Sequence, residues 1–196
     1  MGSPPASAPK ETWRATFRAY RRSLSDPEYA TRSGLIAQRA LSAAAVVRAQ
    51  VVHVYWPLPA QGEVDTRLLI AALRALGRDV VLPVVSAFPP AAPALAHRRY
   101  KGPRCLTPNR WDIPEPADTE AVPPEALDAV LVPAVGADRR GHRLGHGSGY
   151  YDAFLQSVSC PRVGLVYGRC VVPTLPAAPH DIPMTTLVTE QAVIDA

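Results

Sequence analysis

The sequence predicts an α/β fold: a mostly parallel central sheet flanked by helices on both faces, in a single domain. Three observations predict it. Short runs rich in β-branched residues alternate with segments of helical spacing, as in successive βαβ units. The length of 196 residues suits one domain of ordinary size. A hydrophobic fraction of 47% against 19% charged supports a packed core and excludes wholesale disorder.

The elements follow in order. Residues 1–9 read as a disordered tail of Pro, Ser and Ala, and residues 10–196 as the domain. From Lys10 a helical period sets in: Trp13, Phe17, Tyr20 and Leu24 share one face, and Lys10, Arg14, Arg18 and Arg21 lie on the adjoining stripe. The net charge is +4, and residues 1–22, with five basic and one acidic side chain, account for all of it. A solvated cationic face or an anion-binding one fits that stripe. Ser25 and Glu28 have capping-box spacing with Pro27 in the first turn, so a second helix runs from there to about Ala45. Residues 50–55 are a buried strand, and Pro57, Pro59 and Gly62 turn the chain into a helix over 65–76 that Gly77 stops. A strand at 80–85 comes next. Residues 86–127 are Pro-rich, and only a short strand near 97–101 is placed there. Strands at 129–135, 162–166 and 185–188 and a short helix at 150–156 complete the domain. In such folds ligands gather beyond the carboxyl ends of the strands, which points to the loops after Tyr55, Val135 and Val166.

Composition narrows the class further. No apolar run approaches the roughly 18 residues of a membrane helix. The first ten residues lack the apolar stretch of a secretion signal, and Ala6 stands where a myristoylation signal needs Ser or Thr. The cysteines Cys105, Cys160 and Cys170 form no CxxC pair, which fits a reducing compartment. Membrane, secreted, collagenous and disulfide-scaffold classes are excluded, and a cytoplasmic protein acting as a monomer is expected.

One segment stands apart chemically. Between Asp138 and Asp152 lie Gly141, Arg143, Gly145, Gly147 and Gly149, after a buried strand and before a helix. Glycines let backbone N–H groups approach an anion closely, and Arg143 can add a bidentate contact, so a phosphate-cradling loop is the functional reading and a plain flexible loop the competing one. The spacing excludes several other motifs. No Gly-x4-Gly-Lys-Ser/Thr run exists; a dinucleotide fingerprint begun at Gly145 would need glycine at Tyr150; a nucleophile elbow around Ser148 would need glycine at His146 and Tyr150. His142 and His146 are four apart, but the glycines argue against the helix that would make them a zinc pair.

These residues carry a resemblance. The run Arg143-Leu-Gly-x-Gly-x-Gly-Tyr-Tyr-Asp152 resembles the signature of the 5-formyltetrahydrofolate cyclo-ligases. Lys10-x3-Arg14, Glu63-Val-Asp-Thr66, Ile113-Pro-Glu115-Pro116, Val132-Pro133, Leu175-Pro176, His180-Asp181 and Val188-Thr189-Glu190 follow in the family's order, so the resemblance spans roughly residues 10–190. It implies an ATP- and Mg²⁺-dependent closure of 5-formyltetrahydrofolate to 5,10-methenyltetrahydrofolate, with ADP and phosphate released. It implies that Lys10, Arg14, Arg143, Leu144, Gly145, His146, Gly147, Ser148, Gly149, Tyr150 and Tyr151 bind ATP, with Arg143 and Tyr150 catalytic. It further implies that Trp56, Glu63 and the stretch His146, Gly147, Ser148, Gly149 and Tyr150 border the folate, and that Asp152 and Asp181 hold Mg²⁺. Structural roles compete with each: core packing for Trp56, a helix cap for Glu63, a helix-start carboxylate for Asp152, a turn for Asp181.

The chain departs from the family pattern at Asp112, His146, Ser148, Ala153 and Cys170. If position 148 needs a positive φ, serine is strained there by about 1–2 kcal/mol. A cyclo-ligase-like protein that binds nucleotide or folate without turnover is the alternative reading, and a nucleic-acid-binding module using the cationic stripe is a third. The expected partners are 5-formyltetrahydrofolate and ATP, with no nucleic acid and no membrane.

Overall fold

The structure, a computed structural model, describes residues 4–89, 91–178 and 181–196. His180 of the His-Asp motif therefore lies outside the described residues. The helices are α1 (Lys10–Ser23), α2 (Asp26–Ser42), α3 (Ala44–Arg48), α4 (Arg67–Ala75) and α5 (Tyr150–Leu155). The strands are β1 (Val51–His53), β2 (Asp79–Ala87), β3 (Ala94–Arg99), β4 (Leu106–Pro108), β5 (Pro114–Pro116), β6 (Ala129–Pro133), β7 (Gly136–Asp138), β8 (Arg143–Leu144), β9 (Arg162–Leu165), β10 (Val171–Val172), β11 (Thr186–Val188) and β12 (Val193–Asp195).

Seven strands make the central sheet in the order β12-β11-β9-β6-β1-β2-β3. The five inner strands run parallel, and β3 and β12 pair antiparallel at the two edges. Ala129, Val130, Leu131 and Val132 of β6 are all fully buried, the unbroken apolar run of a parallel strand covered on both faces. On β1, His53 points to the side where α5 packs, with its ring 4.9 Å from that of Phe154.

Local chemistry explains the element ends. Glu28 accepts hydrogen bonds from the Ser25 backbone N–H (3.0 Å) and hydroxyl (2.7 Å), which starts α2 as the capping spacing predicts. That helix stops at Ser42, and a separate turn, α3, takes the rest of the apolar run. Asp65, just before the N-cap Thr66, accepts the Arg67 backbone N–H at 3.0 Å at the start of α4, while the Thr66 hydroxyl donates to the Tyr55 carbonyl at 2.7 Å. Glu63 does not cap this helix: its carboxylate is engaged by the Leu58 N–H and His146.

Several differences from the sequence reading have physical reasons. In the segment expected to be a tail, the Ala8 N–H bonds the Pro5 carbonyl at 2.9 Å, and Ala8 is buried against the core. Residues 86–127 contain β3 and the β4–β5 hairpin; Pro108, Pro114 and Pro116 are tolerated because this hairpin has only two strands, both edges. Asp112 sits at φ 57°, a left-handed turn position that favours glycine, and its N–H bonds the Asn109 carbonyl at 2.9 Å.

A second, small sheet of β10, β7 and β8 follows β6 and supports α1. Gly136 of β7 makes room for the helix: a Cβ there would lie 2.2 Å from the Phe17 ring. Trp13 and Phe17 are buried there as the helical period predicts. Arg21 is buried as well, at 3% exposure, which corrects the expectation of four outward cations on the stripe.

Candidate active site

A cavity of about 530 Å³ opens at the carboxyl ends of β1, β2 and β6. Tyr55 and Trp56 after β1, Pro83 and Val85 of β2, and Pro133 of β6 form its floor. The crevice lies where strand order reverses around β1, the place an open α/β sheet offers to ligands. The expected loops after Tyr55 and Val135 reach this end; the loop after Val166 contributes no lining residue, because Tyr167 and Cys170 turn into the core.

The glycine loop between β8 and α5 forms one wall. Gly147 (φ 103°) and Gly149 (φ 77°) take the left-handed positions, and Ser148 between them does not. Position 148 needs no positive φ, so the strain that such a φ would place on serine does not arise. Helix α1 lies against the back of the loop: Arg14 Nε donates to the Gly145 carbonyl and Arg18 Nη2 to the His146 carbonyl, both at 3.0 Å. Lys10, one turn earlier, pairs with Asp181 at 2.5 Å. Two cations of the stripe, Arg14 and Arg18, are thus directed at the glycine loop.

Opposite the loop stands Glu63, nearly buried. Its Oε2 accepts the Leu58 backbone N–H at 2.9 Å, and its Oε1 lies 2.8 Å from His146 Nε2. His142 instead faces Asp138 at 3.4 Å, so the two histidines have different partners and are no zinc pair. Among the described residues no cluster of three or more His, Cys, Asp or Glu could hold a metal.

Arg143 lines the cavity from below and is almost fully buried. Its Nη2 donates to Asp152 at 3.0 Å, and its guanidinium lies 5.9 Å from the Tyr151 ring centroid. Burial pulls the guanidinium pKa down; the charges of Asp152 and, more weakly, Asp181 oppose that shift. Asp152 pairs with this cation directly, whereas Asp181 is held by Lys10 and acts on it only weakly. Leu144 is core and does not line the cavity, and its carbonyl accepts the Val135 N–H at 2.7 Å. The Tyr150 hydroxyl donates to the Ala87 carbonyl at 2.8 Å, which stands the ring up as a cavity wall.

Eleven of the residues singled out in the sequence, from Trp56 and Glu63 to Arg143, the loop 145–151 and Asp152, line this one cavity. Lys10, Arg14 and Asp181 lie outside that lining, around the α1 side of the same loop. Sequence reasoning named the Ile113-Pro-Glu115-Pro116 run without giving it a place in the site, and it missed Trp111, which lines the cavity with Ile113 and Glu115. Trp111 stands 6.0 Å from Tyr150 and 4.7 Å from Phe88, and the turn around Asn109, whose Oδ1 accepts the Trp111 N–H at 2.8 Å, presents it to the rim. The exposed aromatic beside the Ile-Pro-Glu-Pro run was the available signal.

No helix among the described residues is long and apolar enough to cross a membrane. The model of the 5-formyltetrahydrofolate cyclo-ligase family matches residues 6–190. The chain is 34% identical over 182 residues to the 5-formyltetrahydrofolate cyclo-ligase of Escherichia coli K12, covering 90% of this chain and 98% of that one. It is 24% identical over 202 residues to the mouse enzyme of that name, covering 98% of each. Among solved structures, the 5,10-methenyltetrahydrofolate synthetase of Aquifex aeolicus superposes with a TM-score of 0.83 at 32% identity, over 95% of this chain and 92% of that one. The loop signature, the order of the lesser motifs and the cavity they enclose agree with these matches, and the chain belongs to the 5-formyltetrahydrofolate cyclo-ligase family.

Proposed function

We propose that the enzyme closes 5-formyltetrahydrofolate to 5,10-methenyltetrahydrofolate at the expense of ATP. The observation that carries the reading is the double use of the glycine loop. One side faces a partly apolar cavity with a buried carboxylate at its wall, suited to a heteroaromatic ring with N–H groups. The other side is backed by Lys10 and Arg14, with Arg18 reaching from the same helix to the cavity rim, suited to a polyphosphate.

The chemistry follows from that placement. The formyl oxygen attacks the γ-phosphorus, the bond to the β-phosphate oxygen breaks, and ADP departs. The N5 lone pair forms a double bond to the formyl carbon, leaving a phosphorylated iminium. The N10 amine adds to that carbon and loses its proton, and the C–O bond breaks to release phosphate. Every step gains from in-line positioning and from cations that offset charge on the moving phosphoryl group. In this reading Lys10, Arg14 and the loop N–H groups bind phosphates, Arg143 supplies a buried charge, Glu63 accepts pterin N–H groups, and Trp56 and Tyr150 bound the ring system.

Asp152 and Asp181 fit Mg²⁺ by their donor chemistry. Mg²⁺ takes one or two carboxylates with phosphate oxygens and water rather than an all-protein cage, so two aspartates beside a polyphosphate would suffice. When bound, Mg²⁺ supplies charge neutralisation at the phosphates. The test is spectrophotometric: purified protein with 5-formyltetrahydrofolate should form the methenyl chromophore only when ATP and Mg²⁺ are both present. Folded protein that gives no product under any combination would refute the reading.

A further inference from the structure

Arg21 is an uneconomical residue to bury. It follows Phe17 by four and Trp13 by eight on α1, a stripe on which both of those side chains are buried, so Leu or Met would pack there at less cost. The guanidinium is instead held at 3% exposure, and neither Nη1 nor Nη2 has a hydrogen-bond partner among the described residues. Desolvating a charge that is only partly satisfied costs several kcal/mol, and apolar replacement of such groups is often neutral or stabilising. Its single bond is Nε to the Gly62 carbonyl, at 2.7 Å.

That bond holds the loop carrying Glu63. Gly62 closes the turn after Pro59–Gln61 at φ 61°, pressed so closely on α1 that a Cβ would meet Arg21 Cβ at 3.0 Å. Glu63 is the next residue, and its carboxylate reaches His146, whose carbonyl is held by Arg18. Arg18 and Arg21 are three apart, one helical turn. The contacts make a closed ring: Arg18, His146, Glu63, Gly62, Arg21 and back along α1.

We infer that Arg21 is a positioning residue that fixes the Glu63 carboxylate for the folate, through the Gly62 carbonyl. The inference rests on the reading of Glu63 as the folate-side acceptor. Helix α1 then sets both halves of the site, the phosphate side through Lys10 and Arg14 and the folate side through Arg21.

The experiment compares Arg21→Met, which removes the donor, with Arg21→Gln, whose Nε2–H sits the same number of bonds from the backbone as the arginine Nε–H. Arg21→Met should raise the KM for 5-formyltetrahydrofolate about tenfold, leave the KM for ATP within twofold, and melt no lower than wild type. Arg21→Gln should recover most of the folate KM. On a Glu63→Gln background, Arg21→Met should add less than twofold, because both changes act through one carboxylate. An unchanged folate KM, an equal rise in both KM values, or an Arg21→Met protein that melts lower or fails to fold would assign Arg21 a purely structural role and overturn the inference. Wild-type protein that neither binds nor converts 5-formyltetrahydrofolate would instead remove the functional reading, and this inference with it.

Discussion

Lys10 Nζ and Asp181 Oδ2 meet at 2.5 Å although 171 residues separate them. The same Asp181 oxygen accepts the Ala178 N–H at 2.7 Å, so the carboxylate is held by the backbone of its own loop while it holds the first residue of α1. The ion pair thus ties the start of α1 to the loop before β11.

Lys10→Ala or Arg14→Ala should raise the KM for ATP roughly tenfold or more, since a hydrogen bond to a charged group contributes about 1.5–3 kcal/mol. The folate KM should move little. Arg22→Ala, at an exposed position of the same helix, should behave as wild type in initial-rate kinetics. Equal effects at all three positions would mean a diffuse electrostatic field in place of a site.

Asp152→Asn and Asp181→Asn should each cut kcat steeply and raise the Mg²⁺ concentration needed for half-maximal rate. Asparagine keeps an acceptor for Arg143 Nη2 at position 152, so folding should persist. Excess Mg²⁺ or Mn²⁺ should partly restore activity. Asp181→Asn protein that melts lower with unchanged Mg²⁺ dependence would reduce Asp181 to a turn former.

Gly136→Ala should drive a methyl group into the Phe17 ring, lowering stability by about 1–3 kcal/mol and lifting α1 enough to raise the ATP KM. Gly34→Ala is the contrasting change. Gly34 lies inside α2 with nothing within 4 Å of a new Cβ, so alanine should stabilise by about 0.5–1 kcal/mol. Thermal melts of the two variants should move in opposite directions.

The buried pair His53 and His97, ring centroids 5.1 Å apart, should make stability fall in mild acid. Burial pushes the His97 imidazole from its ordinary 6.5 down to about 4. Burial, with His97 as a lesser contributor, pushes His53 lower than its ordinary value too. The unfolded chain therefore takes up protons first, so this stability is fully present above pH 6.5 and lost as pH falls toward 4. By pH 5 the His97 share of the loss is about 2 kcal/mol. The rings against the pair are those of Tyr151, whose pKa burial pushes up, and Phe154, and among the described residues no carboxylate contributes to either histidine's shift. His97→Phe should flatten the fall in Tm between pH 7 and pH 5; an unaltered slope would place the acid sensitivity elsewhere.

Much of this was legible in sequence where local pattern decides structure. The β-branched runs at Val51–His53 and Ala129–Pro133 read directly as buried strands, because parallel strands are apolar without interruption. The glycine loop stood out because Arg143 and its place between a strand and a helix set it apart from a plain flexible loop, and it does line the cavity. The β4–β5 hairpin did not, since three-residue strands with prolines carry no period, and Trp111 was missed with it. Arg21 read as part of a cationic stripe because helical spacing alone does not say where a neighbouring loop will dock. The contact between His146 and Glu63, 83 residues apart, is set by tertiary packing and leaves no local trace.

The central claim, that the formyl oxygen itself attacks ATP, is tested most directly by isotope transfer. 5-Formyltetrahydrofolate labelled with ¹⁸O in the formyl group is converted in unlabelled water, and the released phosphate is analysed by mass. The account predicts one ¹⁸O per phosphate. Phosphate carrying no label, with the ¹⁸O recovered in water, would show that ATP is hydrolysed separately and would contradict it.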